Sequence, residues 1–136
     1  MRIILADDSL LILERLQQMI GISKQAQIVG SYNNGTDTLE ALRTLKPDVA
    51  IIDIKMPGLT GLEVLNEIRK ENKTVKFIIL TFYSSEHYRQ IAIREGADYY
   101  FSKVDDFEKV FLALEEISEL KTTNLFNKNH AKLSLE

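Results

Sequence analysis

The segment Val49-Ala50-Ile51-Ile52-Asp53-Ile54-Lys55-Met56-Pro57-Gly58 decides the fold. Four consecutive apolar residues with no polar alternation read as a short strand buried on both faces, the kind found in parallel sheets covered by helices. The run stops on a carboxylate. Pro57-Gly58 then supplies turn chemistry, with proline presetting φ and glycine open to positive φ.

Working outward, Ile3–Ala6 and Phe77–Leu80 are runs of the same kind, and Ile28–Val29 and Tyr99–Phe101 are weaker ones. Helical spacing lies between them. Ile12, Leu13, Leu16, Met19 and Ile20 recur as on a core-facing helix, and Phe107, Val110, Phe111, Leu114 and Ile117 repeat the pattern. Thr38–Leu45, Leu62–Ile68 and Tyr88–Ala92 carry weaker versions. Thr60 with Glu63, and Asp105 with Glu108, have capping-box spacing, while Gly21 and Gly96 stand where helices should end. The alternation predicts an α/β fold of five strand–helix pairs, (βα)5, in about 120 residues, with right-handed crossovers. The more apolar central runs put the second and fifth strands at the sheet edges.

The composition sets limits. In 136 residues, 45% are hydrophobic and 27% charged, an ordinary globular balance for one domain. Cysteine is absent, which excludes a disulfide scaffold, a Cys-ligated zinc site and a thiol nucleophile. Twenty acidic against 17 basic residues give a net charge of −3, which argues against nucleic acid contact by this chain. No run approaches the roughly 20 apolar residues of a membrane span or the 7–15 of a signal core, so the expected location is cytoplasmic. Residues 1–120 read as the folded domain. Residues 121–136 read as a polar tail or the start of a linker, too short for an output domain.

In open parallel sheets, ligands bind beyond the carboxyl ends of the strands. The polar residues at the ends of the apolar runs therefore carry the functional signal. Asp7 and Asp8 come after the first run, Asp53 after the third, Thr81 after the fourth and Lys103 after the fifth. Each has an ordinary reading alone: Asp8 or Ser9 as a helix cap, Asp53 as a turn opener, Thr81 as a strand residue, Lys103 as a solvated loop cation. Together they place three carboxylates at one edge. Like charges about 4 Å apart repel by about 4 kcal/mol at an effective dielectric near 20, so the cluster calls for a cation. A hard, oxygen-liganded ion such as Mg²⁺ suits it.

These residues resemble a response-regulator receiver domain of two-component signalling over about residues 1–120. The motifs are Asp7-Asp8; Asp53-Ile54-Lys55-Met56-Pro57 with Gly61; Leu80-Thr81; and Gly96-Ala97-Asp98-Tyr99-Tyr100-Phe101-Ser102-Lys103. The resemblance implies a flavodoxin-like, doubly wound sheet in the order 2-1-3-4-5. It makes Asp53 the phosphoacceptor, with Asp8, Asp53 and the Lys55 backbone carbonyl holding Mg²⁺ and Asp7 assisting through water. Lys103 would pair with Asp53 and then with the phosphoryl group. Thr81 would turn toward that group, leaving space for Tyr100 to move inward. The donor would be a sensor histidine kinase or a phosphotransfer protein, and the recipient a downstream effector or an output domain outside this chain. Whether phosphorylation drives dimerisation is left open.

Two departures stand out. Val104 replaces a common proline, so its peptide bond should be trans; lacking that proline resembles receivers joined to helix-turn-helix outputs. Phe82 stands where the family usually has a small side chain. Lys55 and Tyr83 flank the same site and, with Phe82, are expected to tune phosphoryl lifetime. The exposed Ile93, off the stripe of Tyr88, Ile91 and Ala92, suggests a readout surface over Ser85–Leu120. Two alternatives are a phosphohydrolase of the haloacid-dehalogenase type, disfavoured because Lys55 replaces its second acid, and a non-phosphorylated receiver-like binding module.

Overall fold

A computed structural model describes residues 1–120. The strands are β1 (Arg2–Ala6), β2 (Gln27–Tyr32), β3 (Val49–Ile52), β4 (Lys76–Thr81) and β5 (Tyr99–Ser102). The helices are α1 (Leu10–Ile20), α2 (Gly35–Leu45), α3 (Gly61–Arg69), α4 (Glu86–Glu95) and α5, formed by residues 109–120. All strand pairs are parallel and their order is β2-β1-β3-β4-β5. The expectation for residues 121–136 lies outside the described residues.

Strand alternation divides the interior into two cores. Ile4, Ala6, Ala50, Ile52, Phe77 and Ile79 face one way, against Leu42, Leu65, Ile68 and Ala92 of α2, α3 and α4. Ile3, Leu5, Val49, Ile51, Ile78 and Leu80 face the other, against Leu13, Leu16, Val110 and Leu114 of α1 and α5. Every residue of β3 is buried, which is why its apolar run shows no alternation. The edge strands differ: β2 has no fully buried residue, and its pairing with β1 shifts register between Ile3 and Ile4. Partial burial at the sheet edge accounts for the short apolar run Ile28–Val29 in β2.

Helix boundaries follow local chemistry. Thr60 and Glu63 form a reciprocal capping box at α3. Gly96 ends α4 at a φ of 108°, with its N–H on Ile93 and that of Ala97 on Ala92. Lys46 ends α2 at a left-handed φ of 46°, before Pro47, which disfavours the helical region for its predecessor. The expected cap at Asp105 is corrected. The Asp106 carboxylate instead accepts the Ser102 N–H at 3.0 Å and pairs with Lys109, and α5 begins after a tight turn through Phe107 and Glu108. Tyr88 is also corrected: it lies off the core and stacks against Tyr83, leaving Ala92 the one buried residue of α4.

The loop after β3 is held by close backbone approach. Gly58 adopts a φ of 76°, and the Gly61 N–H donates to the Ile54 carbonyl at 2.7 Å. A Cβ on Gly61 would collide with the Asp53 carbonyl oxygen, backbone against backbone. Gly61→Ala is therefore expected to destabilise the domain by about 2–3 kcal/mol, read as a lower urea midpoint. An unchanged midpoint would contradict this account of the loop.

Candidate functional site

The site assembles where β1, β3, β4 and β5 end. The Asp53 N–H continues the sheet by donating to the Ala6 carbonyl at 3.0 Å, and the Lys103 N–H donates to the Thr81 carbonyl at 2.9 Å. Asp7, Asp53, Thr81 and Lys103 are thus carried by rigid, mutually bonded strand ends. All four are buried.

Lys103 Nζ lies 2.7 Å from Asp53 Oδ2 and 2.7 Å from Asp7 Oδ2. The second Asp53 oxygen accepts the Ile54 N–H at 2.7 Å, and the second Asp7 oxygen accepts the Ser9 N–H at 2.9 Å. Ser9 also caps α1 by accepting from Ile12. With Ser9 as the cap, Asp8 is left exposed at the cleft. Oxygen atoms of Asp7, Asp8 and Asp53 all come within 4.8 Å of one another. This all-carboxylate donor set suits a hard divalent cation.

Electrostatics points the same way. Burial pushes Asp7 above its ordinary value, only partly offset by hydrogen bonds from Lys103 and Ser9. Burial alone would lower Lys103, but its hydrogen bonds to Asp53 and Asp7 and their charges outweigh it, so Lys103 is raised. One ammonium therefore serves two buried carboxylates, with a third beside them. The cluster keeps an excess of negative charge that a cation would offset.

A cleft of about 260 Å³ opens onto this cluster, lined by Asp8, Ser9, Asp53, Lys55, Thr81, Phe82, Tyr83 and Lys103. The three tuning candidates thus sit at its wall, with Lys55, Phe82 and Tyr83 all exposed. Thr81 Oγ1 accepts the Tyr83 N–H at 3.2 Å, and the Tyr100 hydroxyl donates to the Tyr83 carbonyl. Burial pushes the Tyr100 phenol up to about 12, so it stays protonated as a donor. Tyr100 is buried in this structure, its hydroxyl anchored to the backbone beside Thr81.

Two contributors have no counterpart in the sequence pattern. The Ser102 hydroxyl accepts the Val104 and Asp105 N–H groups at 3.2 and 3.3 Å, and Asp106 holds the Ser102 N–H. Together they turn the chain just after Lys103. No peptide bond among the described residues is cis, so Val104 follows a trans bond as expected. The signal was present as Ser102 directly before Lys103 and Asp106 four residues after Ser102, but side-chain-to-backbone turns of this kind have no distinctive spacing.

A doubly wound sheet with carboxylates, a hydroxyl and an ammonium at one crevice defines a receiver-type α/β signalling domain. The chain belongs to the response regulator receiver domain family, whose sequence model matches residues 3–115. It is 32% identical to the Bacillus subtilis transcriptional regulatory protein YesN over 137 residues, covering 99% of this chain and 37% of YesN. It is 29% identical to the Escherichia coli nitrate/nitrite response regulator NarL, covering 84% of this chain and 53% of NarL. A LuxR-family DNA-binding response regulator from Staphylococcus aureus superposes with a TM-score of 0.79 at 32% identity, covering 85% of this chain and 97% of that one. The chain thus spans about half or less of the length of these curated relatives. No described helix is long and apolar enough to cross a membrane.

Asp7→Asn tests the charge excess. Because Asp7 is raised by folding, the native state binds its proton more tightly than the unfolded chain does. Wild-type stability therefore falls as pH rises from 3.8 through the raised value, and the variant escapes this loss. Lys103 keeps Asp53 as its partner. At pH 7 the variant should be more stable by on the order of 1 kcal/mol and bind Mg²⁺ more weakly. Urea melts at pH 3.5 and 7 check this. A variant less stable at pH 7 would contradict it.

Proposed function

We propose that the chain is a Mg²⁺-dependent phosphoacceptor switch of a two-component system, with Asp53 as the acceptor. The observation that carries this reading is the contact of Asp53 with Lys103 at 2.7 Å inside a cluster of three carboxylates. An Asp53 oxygen attacks the phosphorus of a phosphohistidine on a sensor kinase or phosphotransfer protein. The new O–P bond forms as the N–P bond breaks, and the imidazole nitrogen leaves with the electron pair. Asp8, Asp53 and the Lys55 carbonyl would hold Mg²⁺, with Asp7 assisting through water; when bound, the ion offsets charge on the phosphoryl oxygens. Lys103 turns from Asp53 to one of those oxygens, supplying charge stabilisation without a proton transfer. No general base is required, since the attacking group is a carboxylate.

The phosphoryl group adds up to about two negative charges and three acceptor oxygens. The Thr81 hydroxyl can donate to one of them, altering its bond with Tyr83. Tyr83 is also the acceptor of Tyr100, so the change reaches α4 and β5. The readout would be this surface, including the exposed Ile93, with its population shifted rather than newly created. Relatives named as transcriptional regulators favour a DNA-binding output in the whole protein, with the receiver acting in the cytoplasm.

The protein incubated with Mg²⁺ and acetyl phosphate should gain one acid-stable, hydroxylamine-labile phosphoryl group by intact mass. Asp53→Asn should gain none. A label that persists in the variant would overturn the assignment of Asp53. Continuous release of phosphate from acetyl phosphate, in excess of the protein, would favour the phosphohydrolase, and no label with no release would favour a binding module.

A further inference from the structure

The amino end of the sheet, opposite the cleft at Asp53, carries an open groove of about 450 Å³. Pro47, Val75, Ile117 and Leu120 give it an apolar lining, with Asp48 and Thr74 among its polar members. Val75 and Ile117 are buried, whereas Leu120, at the end of α5, is 50% exposed. Hydrogen bonds fix the frame of the groove. The Asp48 N–H donates to the Arg2 carbonyl at 2.9 Å, and the Lys76 N–H donates to the Asp48 carbonyl at 3.0 Å. Arg69 Nη1 donates to the Val75 carbonyl at 2.8 Å, and Asn72 Oδ1 accepts the Thr74 and Val75 N–H groups at 2.9 and 3.1 Å. The groove is therefore formed before anything occupies it, which lowers the cost of filling it. Leu120 is also the last described residue, so the chain leaves α5 at the edge of the groove.

We propose that this groove is the seat of the chain's own residues 121–126, with Leu125 and Phe126 as the apolar anchor. Within residues 121–136 this pair is the one place where two large apolar side chains adjoin. Only four residues separate it from Leu120, a reach of about 17 Å from Leu120 to Leu125 when extended. So short a tether holds the pair near the groove at an effective concentration of about millimolar, so a shallow seat suffices. A longer α5 would not cover it. The buried stripe of Val110, Leu114 and Ile117 continues, at the same spacing, onto the polar Lys121, Asn124 and Lys128. Helical continuation would also align Phe126 with Glu119, seven residues earlier and exposed. The other hollow beside α5, lined by Ile20, Phe111 and Leu114, holds about 40 Å³, too little for a ring. Seating the pair ties the end of α5 to the turn before β4. It also fixes where the chain departs after Phe126, at the end of the sheet remote from Asp53. The proposal thus rests on the fold and not on the reading of Asp53 as the acceptor.

The test uses the full 136-residue chain as wild type, Leu125→Ser/Phe126→Ser and Leu120→Asp. In wild type, NMR should show nuclear Overhauser contacts from the Phe126 ring to the Val75 methyl groups, whose signals the ring shifts upfield. The double variant should lose both the contacts and the shift. An isotope-filtered spectrum of mixed labelled and unlabelled protein separates contacts within one chain from contacts between two. Trypsin should cleave after Lys121 at least about tenfold faster in both variants than in wild type, because burying one Leu or Phe side chain shifts an opening equilibrium by that factor or more. Circular dichroism establishes that each variant is folded, and the double variant, altered outside the described domain, carries the test alone if Leu120→Asp does not fold. Absence of contacts between Phe126 and Val75 would overturn the proposal, as would contacts found only between chains, the mark of a second copy's segment in the groove. Equal cleavage of wild type and the double variant would overturn it too.

Discussion

Lys103 brings a single ammonium group into contact with two carboxylates, Asp7 and Asp53, in a part of the molecule where all three are buried. Burying unpaired charge is costly, so this arrangement constrains everything around it. The strand ends must align, which the parallel pairing of β1, β3, β4 and β5 achieves. The turn after Lys103 must hold its shape, which Ser102 and Asp106 provide. The loop after Asp53 must close over the site, which is why Gly61 lies against the Asp53 backbone. Asp8 adds a further carboxylate at the rim. The outcome is a cluster that is stable enough to fold but still short of positive charge.

From this cluster one route leads outward through the residues after β4. Tyr83 is bonded at its N–H to Thr81 and at its carbonyl to Tyr100, so a single residue touches both a site side chain and the buried ring of β5. Beyond it, the chain is thinly anchored. Every residue from 82 to 90 is exposed, and α4 contributes only Ala92 to the buried core. A helix with so little buried area can shift at small cost, whereas β3 and β4 cannot. Rigidity at the chemistry and looseness next to it is what a switch with two packings requires.

Much of this was legible in the amino-acid sequence because buried parallel strands leave a strong mark. Val49–Ile52 is a strand with the bounds its apolar run suggested, and the polar residues just beyond such runs landed together. The order of the strands was not legible from periodicity and came from resemblance to a family. The misread elements share a cause. The first turn of α5 is set by side-chain bonds from Asp106, and Tyr88 belongs to an exposed aromatic pair. In each case a local contact that leaves no period in the sequence outweighed the pattern that does. The contact of Lys103 with Asp7 as well as Asp53 was hidden for another reason: it depends on how close two non-adjacent parts of the chain come.

The charge excess around Lys103 is the central claim, and Mg²⁺ affinity reads it most directly. Lys103→Met removes the positive charge and keeps much of the volume. Isothermal titration of Mg²⁺ into folded wild type and variant, with folding followed by circular dichroism, compares the two. The expected result is tighter binding by the variant, on the order of tenfold, because the ion then offsets two carboxylates that lack their ammonium. Equal or weaker binding by the folded variant would contradict it.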